Sequence, residues 1–329
     1  MKVLVTGGAG YIGSHTVREL VNLNHEVIVL DSLELGHQEL ARAAGARKII
    51  QGNTADTALL DNLFDQEQIG AVIHFAAYKN AGESVEKPGK YFTNNVAGTQ
   101  SLLDAMLRHN VKNFIFSSSC AIFGTPQNVP VSETNNPYHP ESPYGESKLM
   151  AETVLKWYDV AYGLKSINLR YFNAAGASLD GKLGEDWTVT LNLVPLVMKA
   201  ALGKTPSVKV FGTDYPTPDG TCIRDYIHVV DLATAHVRAL EYLQANNQSN
   251  QYNLGTGKGS SVKEVIDTTK RISGRDFKVE EIGRRPGDPV AIWADSTKAE
   301  RELNWKAQYD LETIIKTAYE WHSAHADGI

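Results

Sequence analysis

Through residue 170 or so, short apolar segments rich in β-branched residues alternate with longer amphipathic segments. The apolar segments are nearly continuous, which is typical of strands in a parallel sheet that is covered on both faces. We expect strands at residues 2–6, 26–30, 47–50, 71–75, 113–117 and 166–170. Between them we expect helices at 11–23, 56–68, 90–110 and 146–162. This alternation predicts an α/β fold with a doubly wound parallel sheet of the Rossmann type.

The pattern changes in the second half of the chain. Residues 171–225 are rich in glycine and proline and predict loops. Helices are expected again at 229–244, 261–272, 296–303 and 311–325. We therefore predict a sheet domain at 1–170 and a smaller C-terminal α/β domain at 171–329. The segment 227–256 is expected to pack back on the first domain.

Composition and charge narrow the classes of function. The chain has 329 residues and a net charge of -6, which argues against a nucleic-acid surface. No apolar run reaches the roughly 20 residues that span a bilayer, and the chain opens directly on a strand, so we expect no signal peptide. The two cysteines, Cys120 and Cys222, form neither a disulfide framework nor a CxxC zinc motif. We expect a cytoplasmic protein without a metal.

A glycine-rich segment joins the first predicted strand to the first helix. Gly7, Gly10 and Gly13 have GxxGxxG spacing, which lets a backbone turn approach a pyrophosphate at a helix N-terminus. Asp31 ends the next strand, where a carboxylate accepts hydrogen bonds from both ribose hydroxyls and repels a 2′-phosphate, so NAD is preferred over NADP. Asn53 follows the third strand and is expected near the adenine. On its local sequence a turn asparagine is an equally good interpretation.

Tyr144 and Lys148 lie four positions apart just after Pro143, which is typical of a helix start. On one helix face, a lysine ammonium would stabilise a tyrosine phenolate and lower its pKa, so that Tyr144 could take a proton from a sugar hydroxyl. In isolation, a surface tyrosine beside a solvated lysine is the better interpretation. However, Ser119 ends the preceding strand, at the edge where such sheets bind ligands, and its hydroxyl could share the proton.

Ser119, Tyr144 and Lys148, together with the glycine-rich entrance, resemble the extended short-chain dehydrogenase/reductase superfamily. Within it, the chain is most similar to the UDP-glucose 4-epimerases (also called UDP-galactose 4-epimerases), in register and in order over nearly its whole length. The motifs that carry this resemblance are 7–16 (GGAGYIGSHT), 82–85 (GESV), 94–96 (NNV), 170–173 (RYFN), 224–228 (RDYIH), 252–255 (YNLG), 284–288 (RRPGD) and 293–295 (WAD).

The resemblance implies a reversible, NAD-dependent epimerisation of UDP-glucose and UDP-galactose at sugar carbon 4. Tyr144 would remove the proton of the 4-hydroxyl while hydride passes to NAD, giving a transient 4-keto sugar. The sugar would then turn about its diphosphate and receive the hydride on its other face. Ser119 would hold the 4-oxygen, and Lys148 would bind the nicotinamide ribose and tune Tyr144. The first domain would bind NAD, and residues 171–329 mainly the UDP-sugar.

The resemblance also implies site residues. Those expected to bind the cofactor are Gly7, Gly10, Tyr11, Ile12, Gly13, Asp31, Asn53, Phe75, Lys79, Asn94, Ser119, Tyr144, Lys148 and Tyr171. Those expected to bind the substrate are Ser119, Tyr144, Asn173, Asn192, Phe211, Arg224, Arg285, Asp288 and Ile292. Arg224 and Arg285 would clamp the diphosphate, because guanidinium groups match phosphate oxygens, although either arginine alone could equally form a surface salt bridge.

Two positions depart from the family pattern. Asn53 stands where the family often has an aspartate, which bears on NAD affinity. Ile292 stands beside the sugar 2-substituent and is intermediate in size between residues that restrict the pocket and residues that open it. A UDP-N-acetylglucosamine or UDP-pentose 4-epimerase therefore stays an alternative.

Two further alternatives concern other activities. A dehydratase or decarboxylase of the same fold needs an additional acid after the strand-end serine, and Cys120–Phe123 contains none. A non-catalytic NAD-sensing protein would be expected to have lost the tyrosine or the lysine, and this chain keeps both. The helices at 90–110 and 146–162 resemble those that the family pairs in a dimer, so we expect a homodimer, although packing against the sheet would explain much of the same pattern.

Overall fold

The computed structural model describes residues 1–134, 137–190, 192–285 and 288–329. Pro286 and Gly287 of the 284–288 motif lie outside the described residues. The strands are β1 (Lys2–Thr6), β2 (Glu26–Asp31), β3 (Lys48–Gln51), β4 (Ile69–His74), β5 (Asn113–Ser119), β6 (Lys165–Tyr171), β7 (Asn173–Ala175), β8 (Ser207–Phe211), β9 (Ile223–Arg224), β10 (Tyr226–His228), β11 (Asn250–Leu254), β12 (Ser260–Ser261), β13 (Lys278–Ile282) and β14 (Ala291–Ile292).

The α-helices of the described residues are α1 (Tyr11–Asn22), α2 (Gln38–Ala43), α3 (Thr57–Gln66), α4 (Ala81–Glu86), α5 (Pro88–Tyr91), α6 (Gly98–Arg108), α7 (Pro143–Tyr162), α8 (Leu193–Ala201), α9 (Val229–Asn246), α10 (Val262–Ser273), α11 (Thr297–Leu303) and α12 (Leu311–Ala324). A π-helical turn spans Phe92–Ala97 and a 3₁₀ turn spans Cys120–Phe123. Within the described ranges, no helix has the length and apolar character needed to cross a membrane.

The main sheet has the strand order β11-β6-β5-β4-β1-β2-β3, and all of its pairs are parallel. The predicted doubly wound α/β fold is therefore confirmed. Both faces of the sheet are covered, as the near-continuous apolar strands predict. On β1, Val3 and Val5 join one buried cluster, in which α1 and α9 take part, whereas Leu4 joins another, in which α3, α6 and α7 take part.

The chain leaves this sheet after β6 and later returns to it. β11 adds to the edge beside β6 in parallel, with Leu254 opposite Tyr171, and α9 packs on α1. The second half also builds its own layer, in which β8 pairs with β13 and the helices α8, α10 and α12 share a buried cluster. The division at residue 170, with 227–256 assigned back to the first domain, stays a prediction.

Several elements differ from the predicted ones. α7 begins at Pro143 instead of residue 146, because the Ser142 hydroxyl accepts a hydrogen bond from the backbone N–H of Gly145 at 3.2 Å and caps the helix there. The single helix predicted at 90–110 is divided into α5, the π turn and α6. The short α2, α4 and α8 and the strands β7 to β14 have no counterpart in the prediction, because their apolar patterns are too short to read.

We expect Leu254→Ala to lower the free energy of unfolding by about 2–5 kcal/mol, because the side chain is fully buried where β11 joins the sheet. Urea unfolding followed by circular dichroism measures this. Leu179→Ala is the matched control, since Leu179 is 56% exposed and its truncation should cost little. Equal losses in the two variants would contradict the role assigned to β11.

Candidate active site

A cavity of about 710 Å³ opens at the carboxyl edge of the main sheet. Successive strand ends line it: Gly7 follows β1, Asp31 ends β2, Phe75 follows β4, Ser119 ends β5 and Tyr171 ends β6. Because the carboxyl ends of parallel strands meet at one edge, residues far apart in the sequence face one space. Of the residues expected to bind the cofactor, all lie on the wall of this cavity.

The turn between β1 and α1 is closely packed. The backbone N–H of Gly7 donates to the Leu30 carbonyl at 2.9 Å, and that of Gly10 donates to the Gly7 carbonyl at 3.1 Å. A Cβ atom on Gly13 would lie 2.2 Å from the Gly7 carbonyl oxygen, and Gly7 has a φ of +74°. Only glycine fits both positions without displacement of the backbone. The N-terminus of α1 therefore faces the cavity closely enough to receive a pyrophosphate.

Asp31 has the surroundings of a ribose-binding carboxylate. It is buried, and it accepts hydrogen bonds from the backbone N–H groups of Ala9 at 3.0 Å and Leu33 at 2.9 Å. Burial raises the pKa of Asp31, while these two donors act against that change. Each carboxylate oxygen keeps a lone pair for a further donor, so the residues present fit a dinucleotide with a free 2′-hydroxyl.

Asn53 has the geometry of a turn asparagine, and its place near the adenine stays a prediction. Its Oδ1 atom accepts a hydrogen bond from the backbone N–H of Ala55 at 2.8 Å, as in an asparagine turn, and its side chain is exposed. The residue also lines the cavity on the side of Asp31. The amide nitrogen is the part of Asn53 that can still donate to a ligand.

Tyr144, Lys148 and Ser119 meet in this cavity. The ammonium of Lys148 donates to the Ser117 carbonyl at 2.8 Å, and the backbone N–H of Tyr144 donates to the Ser84 hydroxyl at 3.1 Å. The Ser119 hydroxyl accepts a hydrogen bond from the backbone N–H of Ala121 at 3.1 Å, and Ser119 lines the cavity together with Tyr144. The constellation that the spacing suggested is thus assembled at one strand edge.

The electrostatics differ from the expectation that Lys148 lowers the pKa of Tyr144. Burial raises the pKa of Tyr144 above its usual value, with a further rise from Tyr171, and the Ser119 side chain acts against this rise. Burial also lowers the pKa of Lys148 to about 7, so the lysine is only partly charged at neutral pH. The prediction considered the pair alone and left out the cost of removing both groups from water.

The other residues that are expected to bind the cofactor each contact a specific side chain. Asn94, in the π turn, donates to the Asn95 side chain at 3.0 Å, and the Tyr171 hydroxyl lies 2.5 Å from the Ser117 hydroxyl. Lys79 is largely exposed, with its ammonium 3.6 Å from Oε1 of Glu185. The ring of Phe75 packs against another aromatic side chain, that of His236, 4.5 Å away.

A segment of the second half forms the opposite wall of the cavity. Glu185 is buried and accepts a hydrogen bond from the Thr190 hydroxyl at 3.0 Å and from the Asn192 amide at 3.3 Å. Oδ2 of Asp186 lies 2.9 Å from Nε2 of His37, and both residues line the cavity. The contacts of Glu185 with Lys79 and of Asp186 with His37 attach this segment to the loops that follow β2 and β4.

The residues expected to bind substrate fall into two groups. Asn173 and Asn192 line the same cavity as Ser119 and Tyr144. The others do not line it and cluster in the second half. Nη2 of Arg224 lies 3.5 Å from Oδ1 of Asp288, the guanidinium of Arg285 lies 4.1 Å from the centre of the Phe211 ring, and Ile292 pairs with Arg224 between β14 and β9.

Cys120 connects the two groups. It lines the cavity beside Ser119 and packs against the buried cluster that contains Ile292. Ile292 itself is only 5% exposed. Its side chain therefore forms part of a packed wall, together with Phe123 and Phe172, and not a free surface.

Sequence reasoning missed three residues that shape the site. Ser84 is fully buried and holds the backbone of Tyr144, and Glu185 anchors Asn192. Asn95 bonds both backbone groups of Tyr78 and the Ser147 hydroxyl. The motifs at 82–85 and 94–96 pointed to the first and the last of these, but nothing local marks Glu185.

Comparisons with known proteins agree with this geometry. A model of the NAD dependent epimerase/dehydratase family matches residues 3–255. The chain is 48% identical to the UDP-glucose 4-epimerase of Halalkalibacterium halodurans over 329 residues, which cover 100% of this chain and 97% of that protein.

Solved structures show the same similarity. The UDP-glucose 4-epimerase of Bifidobacterium longum, in complex with NAD⁺ and UDP, matches with a TM-score of 0.95 and 41% identity over 100% of both chains. The corresponding enzyme of Stenotrophomonas maltophilia, with bound NAD and formylated UDP-arabinopyranose, matches with a TM-score of 0.96 and 40% identity over 99% of both chains.

We expect Gly13→Ala to weaken NAD binding by about tenfold or more, because the added Cβ would meet the Gly7 carbonyl and displace the turn. Isothermal titration calorimetry of the protein freed of nucleotide measures this. The control is Gly89→Ala, where an added Cβ meets nothing within 4 Å. Unchanged affinity in Gly13→Ala would remove the turn from the proposed cofactor site.

Proposed function

The chain belongs to the NAD dependent epimerase/dehydratase family, and we propose that it interconverts UDP-glucose and UDP-galactose by inverting sugar carbon 4 through a transient 4-keto intermediate. The observation that carries this proposal is the meeting of Tyr144, Lys148 and Ser119 in the cavity that begins at the glycine turn. The names of the similar proteins favour this reaction over the UDP-N-acetylglucosamine, UDP-pentose and NAD-sensing alternatives.

In this proposal the first half of the chain holds NAD. The turn from Gly7 to Gly13 would receive the pyrophosphate, Asp31 the adenosine ribose and Lys148 the nicotinamide ribose. When bound, NAD supplies a hydride acceptor and donor and, in its oxidised form, a positive charge. The protein orients the sugar and moves its proton.

Tyr144 would act as the general base for the 4-hydroxyl. Because burial raises its pKa, the phenolate needs positive charge nearby, and the ammonium of Lys148 is the protein's own source of that charge. Ser119 would hold the 4-oxygen and share its proton. Tyr144 would return the proton when the ketone is reduced on its other face.

The second half would hold the UDP while the sugar turns. Arg224 and Arg285 carry guanidinium groups suited to the diphosphate, and the ion pair of Arg224 with Asp288 fixes one of them. Phe211 would lie at the uracil and Asp288 at the uridine ribose, while Asn173 and Asn192 would contact the sugar or its diphosphate. A firm grip on the nucleotide leaves the sugar free to present both faces.

A homodimer and a cytoplasmic location also belong to the proposal. The homodimer is supported by large apolar side chains on the surface of α7, where Trp157 is 60% and Val160 is 69% exposed. The α7 helix of a second copy of the chain would cover these side chains.

The direct test is turnover of UDP-galactose by the purified protein, coupled to detection of UDP-glucose. We expect conversion, with or without added NAD if the cofactor copurifies. Parallel assays with UDP-N-acetylglucosamine and UDP-xylose test the two alternative epimerase activities. No conversion of UDP-galactose with NAD present would refute the proposal. A strong preference for another UDP-sugar would show that this sugar is the substrate instead.

We expect Tyr144→Phe to lower kcat by about 10²- to 10⁴-fold, because the general base is lost, while bound NAD is unchanged. The assay above measures the rate, and absorbance of the denatured protein's supernatant measures the nucleotide. Tyr162→Phe is the control on the same helix, since Tyr162 is 55% exposed. A Tyr144→Phe variant with normal activity would show that another group is the base.

A further inference from the structure

Glu152 lies one helical turn beyond Lys148 on α7 and is buried against the sheet. Its Oε1 atom accepts hydrogen bonds from the Ser118 hydroxyl at 2.6 Å and from Nε of Arg170 at 2.9 Å. Nη2 of Arg170 donates to Oε2 at 2.5 Å. The contact with the arginine is therefore bidentate, which fixes both the position and the orientation of the carboxylate.

Arg170 is one of the largest fully buried side chains among the described residues, at 1% exposed. It lies opposite Ser118 in the parallel pairing of β5 and β6. Its Nη1 atom donates to the Tyr138 hydroxyl at 3.2 Å, and its guanidinium lies 5.0 Å from the Tyr138 ring and 5.6 Å from the Phe123 ring. A buried guanidinium requires an acidic partner, and Glu152 is that partner.

Two successive residues of β5 thus contact two successive turns of α7. The Ser117 carbonyl accepts from Lys148, and the Ser118 hydroxyl donates to Glu152. The next residue of the strand is Ser119, which lines the cavity together with Tyr144. Any shift of Glu152 relative to β5 would therefore also shift Lys148 relative to the reacting groups.

Within the part of the chain that the structure describes, the other titratable groups around Lys148 carry no opposite charge. Burial lowers the pKa of His74 on β4 to about 3 and keeps it neutral. Burial also raises the pKa values of Tyr91 on α5, of Cys120 on the 3₁₀ turn and of Tyr171 on β6, so these groups are neutral as well. Lys148 is 4% exposed, and among the described residues Glu152 is the group whose charge raises its pKa, against the effect of burial.

We propose that Glu152, held by Arg170 and Ser118, is a positioning residue that keeps Lys148 in its ammonium form beside Tyr144. This inference depends on the proposed function, because the charge of Lys148 matters to the reaction only if Tyr144 is the base. Glu152 itself touches neither the reacting hydroxyl nor the cofactor. It acts through the lysine.

The expected sign follows from the charges. Removing the negative charge of Glu152 lowers the pKa of Lys148 below its value of about 7, so the ammonium is lost at a lower pH. The high-pH limb of kcat/KM should therefore move to lower pH. Glu152→Gln alone leaves Arg170 unpaired and is prone to misfold, so the deciding variant is Glu152→Gln combined with Arg170→Met. The expected sign is the same for this double variant, because the pKa of Lys148 responds to Glu152 and not to Arg170.

The first measurement does not use activity. Trace acetic anhydride acetylates the neutral lysine amine, and peptide mass spectrometry gives the extent at Lys148 against pH. We expect the labelling midpoint of the double variant to fall by about half a pH unit or more. Glu152→Asp keeps the negative charge, so its labelling midpoint should lie close to that of the wild-type protein. Asp159→Asn is the matched control, because Asp159 pairs with Lys165 of β6 at the far end of the same helix.

The second measurement is the pH profile of kcat/KM with UDP-galactose, which should shift in the same direction and leave the Asp159→Asn profile unchanged. An unchanged labelling midpoint in the folded double variant, or an equal shift in Asp159→Asn, would overturn the proposal. Failure of the wild-type protein to convert UDP-galactose would instead refute the proposed function, and the labelling curves would still report whether Glu152 sets the charge of Lys148.

Discussion

Parallel pairing of the main sheet is the constraint on which the site depends. It brings the carboxyl ends of five strands to one edge, so that a glycine turn, a carboxylate, a serine and a tyrosine from distant parts of the sequence face one cavity. The same pairing places Arg170 opposite Ser118 and so brings a buried cation to α7. Helix α7 carries Tyr144 and Lys148, and β5 carries Ser119, but the register of the strands decides that they meet.

The sequence was informative wherever the signal is local. Glycine spacing, the strand that ends in Asp31 and the four-residue step from Tyr144 to Lys148 are each contained in a few residues. The pKa of Tyr144 was predicted in the wrong direction, because it depends on burial by residues from other strands. Glu185 and the packed position of Ile292 were equally hidden, since both depend on a segment that returns from the second half.

Buried acidic side chains in and around the site are held by fixed hydrogen-bond donors. Asp31 receives backbone donors, Glu152 receives a guanidinium and a hydroxyl, and Asp225 receives the Thr256 and Ala294 backbone groups. Each acid is thereby held by fixed partners, as the cost of burying an unpaired ion requires. Lys148 differs, since its ammonium donates to a neutral carbonyl and not to a carboxylate. The group that remains incompletely compensated is the one placed beside the proposed base.

The late arrival of β11 has a consequence for synthesis on the ribosome. β6 is complete at Tyr171, but the strand that covers its outer edge ends only at Leu254. At the usual rates of translation, roughly 80 intervening residues take about 4–16 s, during which the nascent sheet presents an unpaired apolar edge. Chaperones that shield strand edges have that interval in which to act, and a truncated product that ends before residue 250 would keep the edge open permanently.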